Sequence, residues 1–189
     1  MIRLAVVGDI GSGKSYIAKQ FGYPVFNADA EVAKLYKKSR KCYDRLKRAF
    51  PKHITSFPVK KNEISKAILS NRYNLKKIGR IVHPFVQFSM KRFVRKNKNR
   101  KFVILDIPLL MENKINKKND ILIFVDAKKK EINKRLNKRH GTSIEILKKF
   151  QLPVELKKRK ADFIIKNNFT HNSIRKDVKR VLEKILLNA

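Results

Sequence analysis

Eight consecutive residues, Gly8-Asp9-Ile10-Gly11-Ser12-Gly13-Lys14-Ser15, carry the first recognisable chemistry in this chain. They fit the phosphate-loop pattern Gly-x-x-x-x-Gly-Lys-Ser/Thr. Each residue type has a reason to be there. Glycines let backbone N–H groups turn inward around phosphate oxygens with no Cβ in the way. A helix opening at Lys14 points its positive end at the same oxygens. The Lys14 ammonium reaches the β- and γ-phosphates, and the Ser15 hydroxyl suits Mg2+. The loop lies between an apolar run at residues 2–7 and a helical run at 14–21, the setting such a loop requires. The reading is a nucleoside triphosphate site of Gly8, Gly11, Ser12, Gly13, Lys14 and Ser15, with Tyr16 beside it.

Three carboxylates stand at the ends of short apolar runs: Asp29 after Val25-Phe26, Asp106 after residues 102–105 and Asp126 after 121–125. In a parallel sheet, ligands collect beyond the C-terminal ends of strands. A carboxylate there can take the proton of an acceptor hydroxyl as a phosphoryl group arrives, or hold Mg2+ through water. Asp29 also fits the N-cap of a helix starting at Ala30, and Asp106 also fits a structural carboxylate.

The elements that must position these groups follow from periodicity. Strand-like runs at 2–7, 25–26, 102–105, 121–125 and 163–165 alternate with helical runs at 14–21, 30–38 and 132–137. That alternation predicts an α/β fold, a parallel sheet flanked by helices. Residues 41–100 show no clear strand and read as helices broken at Pro51, Pro58 and Pro84. The expected division is a nucleotide-binding core at 1–40, 101–134 and 161–189, a helical acceptor subdomain at 41–100 and a basic lid at 135–160. The closing helix puts Ile174, Val178, Val181, Leu182 and Ile185 on one face, with Ser173 or Asn172 as its cap.

Charge is the unusual property. The 48 Lys and Arg outnumber 15 Asp and Glu, giving a formal net charge of +33. The excess is spread along the whole chain, as a compositional bias would spread it. The same field would draw an anionic small substrate. No helix-turn-helix, RNA-binding sheet or zinc signature accompanies it, which argues against specific nucleic-acid binding. The four histidines are scattered and the one cysteine, Cys42, rules out an internal disulfide. No run approaches the ~20 apolar residues of a membrane span. The expectation is a cytoplasmic monomer with no membrane partner.

Across nearly its whole length the chain resembles the dephospho-coenzyme A kinase family. The likeness rests on Gly8 to Ser15, Ala28-Asp29, His83-Pro84, Asp106-Ile107-Pro108-Leu109-Leu110-Met111-Glu112 and Arg139 followed by Gly141. It rests further on Gln151-Leu152-Pro153-Val154-Glu155-Leu156-Lys157 and on Ala161 to Asn168. The resemblance implies a P-loop kinase with a helical acceptor insertion and a lid, transferring phosphate from ATP, with Mg2+, to the ribose 3′-hydroxyl of dephospho-coenzyme A. It implies Asp29 as base, Lys14 and Arg139 as stabilisers of the transferring group, and Ser15 and Asp106 near the metal. It further implies His83 and Glu112 toward the acceptor, Glu112 otherwise ordering the turn at Pro108, and Asn167 and Asn168 lining the adenine. Three positions depart from the family: Asn27 and His140 where it has Asp, and Phe169 where it commonly has Gly. The remaining alternatives are a P-loop kinase for a nucleotide or nucleoside and a basic nucleic-acid-binding ATPase module.

Overall fold

The computed structural model describes residues 1–71, 73–113, 115–137 and 150–187. They divide into two compact units, Met1–Asn27 with Asn97–Ala189, and Ala28–Lys96.

The first unit is built on five parallel strands: β1 (Ile2–Gly8), β2 (Val25–Asn27), β3 (Phe102–Asp106), β4 (Ile121–Ala127) and β5 (Phe163–Asn167). Their order is β2-β3-β1-β4-β5. Central parallel strands are covered on both faces and so read as unbroken apolar runs. Leu4, Ala5, Val6 and Phe102 to Leu105 have no exposed surface. Helices α1 (Lys14–Gln20) and α8 (His171–Leu187) pack on this sheet. Ile17 and Ala18 of the first share one buried cluster with Ile174, Val178, Val181 and Ile185 of the second, the stripe read from the sequence. The cap of α8 differs from expectation. The helix already starts at His171, so Asn172 and Ser173 lie inside its first turn. Among the described residues this unit also holds two shorter helices, α6 (Lys129–Asn137) and α7 (Val154–Arg159). At the end of the strands away from the loop, Arg3 Nη2 donates to Asp120 Oδ2 at 2.9 Å, a buried pair tying β1 to the turn before β4.

The second unit holds α2 (Ala28–Lys38), α3 (Arg40–Ala49), α4 (Lys61–Ser70) and α5 (Asn74–Lys96). Leu35, Cys42, Leu46, Ile54, Ala67, Ile78 and Val82 belong to its core. The sequence reading groups α2 with the nucleotide core; its Val32, Leu35 and Tyr36 join this other cluster instead. Pro84 does not break the chain as expected, and α5 runs through it for 23 residues. Proline removes one hydrogen bond and crowds the preceding turn. Here the apolar stripe of Ile78, Val82 and Met90 holds the helix together on both sides of it.

One buried carboxylate organises the loop ahead of α4. Glu63 accepts from Thr55 N, Thr55 Oγ1, Ser56 N and Ser56 Oγ, and reaches back to Lys60 N at the start of its own helix. Burial pushes its pKa up, but hydrogen bonds from Lys60, Thr55 and Ser56 outweigh burial and hold it at about 2, against an ordinary 4.5. A depressed carboxylate pKa stabilises the fold above the unfolded pKa, and that contribution is lost as pH falls through the folded one. Glu63→Gln is therefore expected to cost about 2 kcal/mol at pH 7, as for hydrogen bonds to a charged group. In urea unfolding followed from pH 7 to pH 2, the gap between wild type and variant should be widest above pH 5 and narrow toward pH 2. A gap that does not change with pH would contradict this account.

Candidate active site

The phosphate loop leaves the C-terminal end of β1, the central strand, and is threaded closely between its neighbours. At Gly8 (φ 148°) a Cβ would stand 2.8 Å from the Val125 carbonyl oxygen. At Gly13 (φ 89°) it would overlap the Asn167 side-chain amide. Both positions therefore demand glycine, for the backbone angle and for the space. Asp9 stiffens the turn, its Oδ1 accepting from Ile10 N at 2.7 Å and its carbonyl from Ser12 N at 3.2 Å. No acidic residue stands in the first turn of α1, so nothing there opposes an anion. The Lys14 ammonium donates to the carbonyls of Gly8 (3.2 Å) and Asp9 (2.8 Å), which folds it over the loop it belongs to. Ser15 is exposed at the start of the helix.

Asn167, at the end of β5, is a strut for this loop. Its side chain is buried; Nδ2 donates to Ser12 O at 2.7 Å, and Oδ1 accepts from Phe169 N at 2.8 Å. Asn168 Oδ1 accepts from the backbone N and hydroxyl of Thr170. Phe169 adopts the left-handed region, φ 62°. The chain bends there in a conformation that glycine takes without strain, which gives the resemblance's usual glycine a physical reason. The ring of Phe169 lies under the Arg135 guanidinium at 4.5 Å, and the Tyr16 and His171 rings meet edge-on at 6.5 Å. Aromatic and cationic side chains thus line the loop on the β5 side.

On the other side of β1, β3 ends at Asp106, which is buried. The parallel register places Asn27 opposite it, and Asn27 Nδ2 donates to Asp106 Oδ2. An amide suits that place: it donates to the carboxylate, where a second ionised carboxylate would repel it. The departure at Asn27 thus gives Asp106 a donor that orients it. Asp29 lies two residues past the end of β2, exposed in the first turn of α2. Because the helix begins at Ala28, Asp29 is inside it and is not its N-cap, which corrects the capping alternative. In the second unit, His83 is exposed on α5 with its imidazole packed over Gly79.

Glu112, which sequence reasoning set toward the acceptor or to ordering the turn at Pro108, is held by two distant segments. Its Oε1 accepts from Leu152 N at 3.0 Å and from the Lys157 ammonium at 3.3 Å, which fastens the turn after Pro108. Lys157, the last residue of the segment shared with the family from Gln151, is almost fully buried, and no local sequence pattern signals that burial. Asp126 pairs with Lys158 at 3.0 Å, and that hydrogen bond raises the lysine's pKa. Arg139, with Lys138, His140 and Gly141, lies outside the described residues.

Among the described residues no group of three or more His, Cys, Asp or Glu could hold a metal ion. One hydroxyl at Ser15 and one oriented carboxylate at Asp106 instead suit a hard cation bound mainly by phosphate oxygens and water. No helix among the described residues is long and apolar enough to cross a membrane.

Known proteins resemble this chain in sequence and in fold. The family model described as dephospho-CoA kinase matches residues 2–173. The dephospho-CoA kinase of Wolbachia sp. subsp. Brugia malayi is 31% identical, over 98% of this chain and 99% of that protein. That of Bartonella quintana is 32% identical, over 98% of each. Among solved structures, TT1252 from Thermus thermophilus superposes with a TM-score of 0.77 at 27% identity, covering 99% of this chain and 97% of the other. The dephospho-CoA kinase from Campylobacter jejuni superposes with a TM-score of 0.65 at 21% identity, covering 97% and 96%, a likeness of fold.

Proposed function

The chain belongs to the dephospho-CoA kinase family and phosphorylates dephospho-coenzyme A with ATP, in coenzyme A biosynthesis; from that premise we propose the residues and the order of events. The observation that carries the reading is the loop from Gly8 to Ser15, held between the ends of β4 and β5, with Lys14 folded over it and Asp106 fixed at the adjacent strand end.

ATP docks its phosphates on the backbone N–H groups of Gly11 to Ser15, and Tyr16, Asn167 and Asn168 border the rest of the nucleotide. Lys14 exchanges its bonds to Gly8 and Asp9 for β- and γ-phosphate oxygens. Ser15 and Asp106 would hold Mg2+, which when bound neutralises charge on the β- and γ-oxygens. His83 and the helical unit receive the acceptor, and Glu112 bounds the site through the turn it fastens. Asp29 takes the proton of the ribose 3′-hydroxyl as its oxygen bonds to the γ-phosphorus. The bond from that phosphorus to the β–γ bridging oxygen breaks, and ADP leaves with the electron pair. Charge spreads over the transferring oxygens and is met by Lys14 and Arg139. The protein acts as a cytoplasmic monomer without a nucleic-acid partner.

The test is ADP release by purified protein with Mg-ATP and each of four acceptors: dephospho-coenzyme A, AMP, CMP and adenosine. Turnover is expected with dephospho-coenzyme A and near background with the other three. Faster turnover with AMP, CMP or adenosine would keep the phosphate loop and overturn the acceptor.

A further inference from the structure

The Lys157 ammonium is the most buried cation among the described residues, its side chain 2% exposed. Its one hydrogen-bond partner among them is Glu112, itself only 10% exposed. An ion pair this deep is an expensive way to fill space. Desolvating two charges costs several kcal/mol, and an apolar pair of the same volume often does as well or better. The position of the pair gives it a use. Lys157 and Glu112 line a small cavity together with Val7, Gly8 and Lys14. The cavity is about 10 Å3, room for no more than a water. Lys157 stands behind the phosphate loop as part of the wall.

Glu112 connects three segments at that wall. It closes the turn that follows Asp106, in which Leu109 is held in the left-handed region at φ 55°. It accepts from the backbone of Leu152, and it pairs with Lys157 on α7. Left-handed backbone strains a non-glycine residue and persists only where its surroundings fix it.

We propose that Glu112 and Lys157 are a positioning pair: they fix the wall shared by Gly8, Lys14 and the turn after Asp106, and so set where the Lys14 ammonium and the Asp106 carboxylate stand during phosphoryl transfer. The inference rests on the kinase reading above. Placement errors of about 1 Å at a reacting centre can cost about 100-fold in rate, and the pair acts on the rate through that geometry.

The informative variant is the double replacement Glu112→Gln with Lys157→Met. It removes both charges, keeps an acceptor for Leu152 N and leaves no charge buried alone. Its thermal midpoint is expected within a few degrees of wild type. Its kcat for dephospho-coenzyme A should fall about 10- to 100-fold, with KM for ATP within about 3-fold. Glu112→Asp, which keeps the charge but is too short to hold Leu152 and Lys157 together, should show the same split, and Lys157→Arg should recover part of the rate. A double variant or an Asp variant with wild-type kcat overturns the proposal, because a purely structural pair would move the midpoint and leave kcat alone. A rise in KM at unchanged kcat also overturns it. Wild type is assayed alongside. If it does not turn over dephospho-coenzyme A, the functional reading falls and the pair's role with it; if it does, an unchanged variant sinks the pair's role alone.

Discussion

Lys14→Ala is expected to abolish turnover, with kcat/KM falling by about 10³-fold or more while the protein stays folded. Removing a single well-placed donor to developing charge already costs about 10²- to 10³-fold in other enzymes, and Lys14 is a full positive charge folded over the loop that would hold the β- and γ-phosphates. The stability cost is small by comparison. Its bonds to Gly8 and Asp9 run from a partly exposed side chain to carbonyls of its own loop, which water can satisfy. Lys14→Arg is not a rescue, since a planar fork cannot replace a compact ammonium at one point. The measurement pairs ADP release with a thermal melt. A folded Lys14→Ala protein that turns over within ten-fold of wild type would contradict the phosphate-loop reading.

Asp29→Asn separates base chemistry from nucleotide binding. Loss of a positioned general base costs about 10²- to 10⁴-fold, and kcat should drop within that range. The affinity for ATP should hold, because the groups proposed to meet its phosphates, Gly11 to Ser15, do not include Asp29. The fold should hold as well. Asp29 is exposed in the first turn of α2, where a carboxylate contributes about 0.3–1 kcal/mol through the helix dipole. Asn27 cannot substitute, since its amide has no basicity and donates to Asp106. The check is steady-state kinetics together with equilibrium binding of ATP to the variant. A kcat within a few-fold of wild type would remove Asp29 from the role of base.

Glycine spacing, the apolar runs and the segments shared with the dephospho-CoA kinase family were legible without coordinates, because each is a local property. A loop that turns its N–H groups inward needs glycine at the crowded points whatever surrounds it, and Gly8 and Gly13 are such points. A strand buried on both faces must be apolar along its middle, and Leu4 to Val7 of β1, Phe102 to Leu105 of β3 and Leu122 to Val125 of β4 are. The stripe of α8 follows from a 3.6-residue period alone.

What the tertiary structure decided is which residues meet. Asn167 supports Ser12 across 155 positions, Asn27 orients Asp106 across 79, and Glu112 holds Lys157 across 45. Those pairings depend on the strand order β2-β3-β1-β4-β5, which no local window encodes. Burial was hidden for a similar reason. With 48 Lys and Arg in the chain, composition cannot say that Lys157, rather than its neighbour Lys158, has gone inside. Pro84 shows the same limit from the other direction. Local chemistry predicts a break there, and packing on either side carries α5 through it, because one lost hydrogen bond is small beside the apolar surface the helix buries.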